Sequence, residues 1–249
     1  MKRASAPRVA AGLSATIMRS STATSLLVLV IQLPTAATLQ LRACAAPRMA
    51  AEALSFEQAL EQAPSMCAAL QRGEVPEHLD EFVSTSAGAR GFFVHYLTGD
   101  EFTCADAAEP PSPLMLSLEE SASAETVEIM LMNVVMSAGT AILHDRAGNA
   151  ENAESSRRTS ARASILVKAL VDRLPSLQTS MAALGGAVAA ERGREVLFLE
   201  PGAEVAADEK RLVLGADTEE AVDQWIAFLD RWKYDQDQLE AIEAALQDV

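Results

Sequence analysis

Aromatic residues are few: seven Phe, two Trp and two Tyr in 249 residues. Sheets draw on aromatic and β-branched side chains, so this scarcity, beside abundant Ala, Leu, Val and Met, argues against a β-rich fold and favours helices. Cysteine is also sparse. Cys44, Cys67 and Cys104 form no CxxC pair and no Cys/His spacing, which excludes a disulfide framework and a structural zinc site. Cys67 and Cys104 are expected as buried free thiols, with a Cys67–Cys104 bridge or a reactive thiol as alternatives. Phosphate loops and G-x-S-x-G elbows are absent, and Gly185-Gly186 with Gly193 lacks the spacing and preceding strand of a dinucleotide turn. No repeat of solenoid length is present. These absences lower the expectation of catalysis and imply no cofactor.

One further absence divides the chain. Residues 1–49 contain Lys2, Arg3, Arg8, Arg19, Arg42 and Arg48 and not a single acid. Beyond them stand 14 basic against 35 acidic residues, a balance of −21. So acidic a body repels phosphate backbones, so nucleic acid is not an expected partner. The cationic segment, rich in Ala and Ser, has the composition of a cleavable organelle-targeting leader and is set aside from the fold. Inside it lies a short apolar core, Leu26–Ile31, closed by Pro34 and then Thr35, Ala36 and Ala37, and after it a second acid-free piece, TLQLRACAAPRM. A signal-like core followed by a transit-like piece resembles the two-part import leader of algae with secondary plastids, and Ala46–Met49 is similar to the end of such leaders. Thr38 stands where those leaders often carry an aromatic. The resemblance implies the plastid stroma as destination, with the mitochondrion second.

The body is organised around Ser123–His144. Between Val127 and Leu143 this stretch carries one charge, Glu128, and its polar residues Thr126, Asn133, Ser137, Thr140 and His144 fall on one narrow helical stripe. A helix apolar almost all round is buried, and one this long reaches about 30 Å. A membrane span is disfavoured by the shortness of the run, its polar residues and the lack of flanking aromatics. Ser123 caps the helix, and Gly148 stops it.

Around it the periodicity predicts a helix after Ser55 with Phe56, Leu60, Cys67 and Leu70 inward, kinked or split at Pro64 and closed by Gly73. Two short helices follow around Gly88, then a Pro-rich loop and a helix begun by Ser112 and Pro113. A long helix is expected over Ala150–Leu174, and another from Pro175 to about Ala190. Arg194–Leu199 and Arg211–Leu214 read as strands joined by a Pro/Gly-opened loop, hence as a small β-hairpin. Helices opened at Asp217–Glu220 and by Asp235 with Gln238 complete the chain. The fold class is therefore mainly α: a helical bundle around a buried central helix (123–144), with a β-hairpin (194–214) near the C-terminus. The domains expected are a leader (1–49), a helical core (50–192) and a β-hairpin plus C-terminal helical hairpin packed on that core (193–249).

Three patterns bear on chemistry. His144-Asp145, at a helix end, resembles the HD pair of metal-dependent phosphohydrolases, which implies a divalent metal with His95 as a further ligand; the structural alternative has His144 complementing the helix dipole. Arg146, Arg157, Arg158, Arg162, Lys168 and Arg173 concentrate cations in one region. They read either as a salt-paired helix surface or, at Arg157, Arg158 and Arg162, as an anion or partner docking site, and Arg157–Ser160 looks like a basophilic kinase site. Trp225, Phe228 and Trp232 share a helical face, as core or as a partner-helix surface. The function expected is that of a soluble organellar helical protein acting through protein–protein interaction, as an assembly or regulatory factor. Two alternatives are a metal-dependent phosphohydrolase and a binder of tetrapyrroles or other hydrophobic small molecules along the central helix.

Overall fold

A computed structural model describes residues 54–200 and 211–249. The leader expected over 1–49 lies outside the described residues. Helices dominate: α1 (Phe56–Gln71), α2 (Leu79–Val83), α3 (Ser86–Thr98), α4 (Ser112–Ser121), α5 (Ala124–Arg146), α6 (Ala150–Leu170), α7 (Pro175–Glu191), α8 (Glu219–Trp232) and α9 (Gln236–Gln247), with strands β1 (Glu195–Leu199) and β2 (Arg211–Gly215).

The fold is mainly α, built on α5 as expected. Ser123 accepts the Thr126 amide, and the helix closes in a turn where Gly148 takes φ +69° while the Gly148 and Asn149 amides bond the carbonyls of Asp145 and His144. Its neighbours are α3, α6, α7 and α9. Val127, Met130, Leu131, Val134 and Val135 are sealed in the core. Polar side chains tie the neighbours to the backbone of α5: Ser160 of α6 donates to the Val134 carbonyl (3.0 Å) and Gln238 of α9 to that of Gly139 (3.0 Å). Thr126 in turn donates to the Val83 carbonyl at the end of α2 (2.7 Å). By length and composition α5 could cross a membrane, but more than half of its apolar window is buried by these helices.

The first helical pair departs from the predicted pattern. α1 runs unbroken through Pro64, and its inward residues are Ala59, Ala63, Met66, Cys67 and Leu70, with Phe56 and Leu60 only half-buried. Small residues explain the rotated face. A Cβ on Gly91 of α3 would stand 2.6 Å from Ala59 Cβ, so the two backbones meet where neither helix carries bulk. The hydrogen bond that Pro64 cannot donate is outweighed by this packing. Gly88 does not separate two helices but lies in the first turn of α3, where its amide bonds the Thr85 hydroxyl (3.1 Å). Ser112 is the first residue of α4 rather than its cap, and α6 ends at Leu170, four residues early. α9 starts as predicted, in a reciprocal cap between Asp235 and Gln238.

The strands correct a second expectation. They pair in parallel, with Glu195 beside Arg211 and Leu199 beside Gly215, and so form no hairpin. Opposite charges open both strands, and the parallel register sets them side by side (Arg211 Nε to Glu195 Oε2, 2.8 Å). The same register turns Phe198 and Leu214 together onto the core, Leu214 lying over Gly186 of α7. Residues 201–210, including the Pro/Gly pair that suggested a tight turn, lie outside the described residues.

Two adjacent glycines of α7 behave differently. A Cβ at Gly186 would press on Leu214, whereas one at Gly185 would meet nothing within 4 Å. Gly185→Ala is therefore expected to stabilise the protein by about 0.5–1 kcal/mol, the helix-propensity difference, in a urea titration.

Candidate functional site

The cation-rich region after α5 is the most elaborately wired part of the molecule. α6 opens with Asn149 accepting the Asn152 amide and Glu151 in the first turn, and it presents an arginine on successive turns at 158 and 162. Arg162 is 1% exposed. Its Nε and Nη2 donate to the two Asp106 carboxylate oxygens (2.6 and 2.7 Å), and its Nη1 donates to the carbonyls of Gly99 (2.8 Å) and Leu97 (3.2 Å). One guanidinium thereby caps the C-terminal end of α3 and fixes the 3-10 turn Thr103–Asp106. Hydrogen bonds from Arg162 hold the Asp106 carboxyl below the usual carboxylate range, outweighing the desolvation that opposes them.

Each remaining cation of the region also has a partner in its own chain. Arg146 pairs with Asp235 and Asp237, Arg157 with Asp145 and, at 3.7 Å, with Glu154, and Arg158 with Asp100. Lys168 reaches the Asp248 carbonyl at 3.0 Å, and Arg173 the Glu119 carboxylate at 2.5 Å. These contacts pull the α3–α4 loop, α4 and α9 toward α6. The salt-paired reading of the sequence describes this geometry. At the proposed docking site, Arg157 and Arg158 already hold carboxylates, and Arg162 is not on the surface at all. The kinase-like stretch is closed as well: Thr159 and Ser160 are buried, their hydroxyls donating to the Ser155 and Val134 carbonyls.

His144 sits in the last turn of α5 beside the negative end of the helix dipole, and His95 in the last turn of α3. Asp145 faces Arg157. Among the described residues no group of three or more His, Cys, Asp or Glu side chains is placed to hold a metal, so His144, Asp145 and His95 are not brought together as a ligand set.

Trp225 of α8 is buried, while Phe228 and Trp232 are half-buried at the edge of the core. Trp225 and Phe228 meet edge to face with centroids 5.4 Å apart. α8 packs mainly on α7, so this face is chiefly a core seam with a partly open margin.

Two features escaped the sequence reading. The polar stripe of α5 (Asn133, Ser137, Thr140, His144) is half-buried rather than enclosed, and Met132, Met136 and Leu143 widen it, Leu143 being 51% exposed. Asn133 turns its amide back to the Ile129 carbonyl (2.8 Å), so it makes no demand on a partner. The methionines read as core because periodicity marks them apolar without saying which arc of a wholly apolar helix stays uncovered. The other feature is a cavity of about 540 Å³ between α4 and α6, lined by Glu109, Pro110, Met115, Leu116, Ala169 and Arg173 among others. None of its walls comes from α5, where a hydrophobic-ligand site was expected.

This architecture coincides with a known sequence family. The profile of the family described as "Uncharacterised conserved protein UCP020893" matches residues 55–203, from the cap of α1 to just beyond β1. The chain belongs to that family. No curated protein and no solved structure matches it. The span of the family holds α5, α6, the Arg162–Asp106 pair and the open strip of α5, and it leaves out β2, α8 and α9.

Proposed function

We propose that the chain acts by binding another protein inside an organelle, the plastid stroma first and the mitochondrion second, as an assembly or regulatory factor. The observation that carries this reading is the strip Met132–Met136–Leu143 on α5. The long apolar helix at the centre of the fold keeps one arc open, and that arc is lined by flexible, polarisable methionines flanked by small polar groups. Methionine surfaces adapt to apolar partner faces, and an amphipathic helix laid along the strip would bury it. The import address rests on the cationic, acid-free first 49 residues joined to a body of opposite charge.

A photoreactive residue at Met136 tests this, with one at the exposed Asp223 of α8 as control. Crosslinking in isolated organelles is expected at Met136 alone. Met136→Glu is expected to abolish capture while leaving the melting temperature within about 2 °C of the parent, since the residue is half-exposed. A partner retained in full by Met136→Glu, or crosslinks of equal yield from both positions, would refute the assignment of the strip.

A further inference from the structure

Cys67 and Cys104 stand on two elements packed against each other, α1 and the 3-10 turn Thr103–Asp106. Cys67 lies on α1 with no exposed surface, and Cys104 sits half-buried in the 3-10 turn Thr103–Asp106; both are free thiols. Gln71, one helical turn after Cys67, clamps that turn against α1. Its Nε2 donates to the Thr103 hydroxyl (2.9 Å), and its Oε1 accepts the Cys104 backbone amide (2.8 Å). Both cysteines pack against the same core, and the hydroxyl of Tyr96, fully buried, has no hydrogen-bond partner there. A buried phenol ordinarily finds a partner, so this is an under-satisfied spot and not an ordinary apolar seam. Cys104 adds to the upward push that burial gives the Cys67 thiol, and both cysteines add to that on Tyr96, with Glu101, Asp106 and Arg162 also close enough to act on members of the group.

We propose that Cys67 and Cys104 are a dithiol pair that closes to a disulfide on exchange with a low-molecular-weight disulfide, RSSR. Cys104, the half-exposed member, reacts first. Its sulfur attacks one sulfur of RSSR, forming a mixed disulfide and releasing the first RS⁻. The Cys67 sulfur then attacks the Cys104 sulfur, forming the intramolecular bond and expelling the second RS⁻. The two thiol protons end on the two released RSH molecules; the protein pair is oxidised and RSSR is reduced. Burial pushes both thiols up, which keeps them protonated near neutrality and makes the exchange slow. The product staples the turn carrying Asp106 to α1, so the anchor of Arg162 is held covalently as well as by the Gln71 clamp.

The test uses the full chain carrying Cys44→Ser, incubated natively with excess oxidised glutathione. Loss of two hydrogens is expected, with tryptic peptides 49–72 and 91–146 joined by a disulfide. The melting temperature is expected to rise by about 5–10 °C over the reduced protein, the range that follows from the typical stabilisation by a cross-link in a chain of this size. Cys67→Ser is expected to stop the reaction at a glutathione adduct on Cys104; should that variant fail to fold, the peptide map of the parent decides alone. Glutathione remaining on Cys104 of the parent, or linkage appearing only after denaturation, overturns the proposal.

Discussion

Arg162→Ala is expected to remove about 3–5 kcal/mol of unfolding free energy, against about 0–1 kcal/mol for Arg157→Ala. The difference follows from burial. Arg157 and its partner Asp145 are both more than 40% exposed on their side chains, so water replaces most of what the pair supplies. Arg162 is enclosed, and its loss leaves the Leu97 carbonyl without its side-chain donor and the Gly99 carbonyl with only the Phe102 amide (3.3 Å), frees Asp106 and opens a side-chain-sized void. Asp106 is 47% exposed and can turn to water, which keeps the loss from exceeding this range. Against an ordinary total stability of about 5–15 kcal/mol, such a loss is about a fifth or more of the whole. A urea midpoint at pH 7 reads it directly.

The pair also imposes a sign on pH dependence. Because the Asp106 carboxyl is depressed in the folded state, its contribution is fully present above the unfolded value of about 4. It is lost as pH falls through the lower folded value. The stability gap between the parent and Asp106→Asn is therefore expected to narrow from pH 5 toward pH 2; a gap that widens in acid would contradict the assigned ion pair.

Gly91→Ala is expected to destabilise by about 2–3 kcal/mol, although the same substitution in a free helix would gain about 1 kcal/mol. The new Cβ would lie 2.6 Å from Ala59 Cβ, 2.7 Å from the Ala59 carbonyl carbon and 3.0 Å from the Leu60 nitrogen. Two of these obstacles are backbone atoms, so no rotamer change relieves them and α1 must move off α3. Gly185→Ala, with open space around it, is expected to have the opposite sign. Measuring both variants by urea denaturation separates close approach from helix propensity; two shifts of the same sign would mean that α1 and α3 do not meet at Gly91.

How much of this was legible in the sequence varies with the physics behind each element. The span of α5 was readable because the cap Ser123, the apolar run and the stop Gly148 are local signals that agree with one another. The same holds for Asp235 and Gln238, a reciprocal cap that needs only neighbours along the chain. The strands were recognisable, but their direction was not. A Pro-Gly pair suggests a tight turn, whereas pairing direction depends on Glu195 meeting Arg211 and on which side chains reach α7. The inward face of α1 was misread for a related reason, since Ala59 and Ala63 carry little hydrophobicity and gain their place only because Gly91 opposes them.

The candidate site shows the same division more sharply. A row of arginines spaced one turn apart is equally compatible with a free anion surface and with internal pairing. Asp100, Asp106 and Asp145, with which the arginines pair in the fold, stand 12 to 58 positions away from them. By itself, the sequence determined where α5 and α9 begin, that α5 is the axis of the body, and that an acid-free cationic segment precedes an anionic one, because caps, periodicity and charge act over a few residues. The tertiary structure alone decided that Arg162 is interior, that β1 and β2 run parallel, and that one arc of α5 stays open. Each of these is a choice between distant surfaces of similar composition, settled by which of them the chain brings into contact.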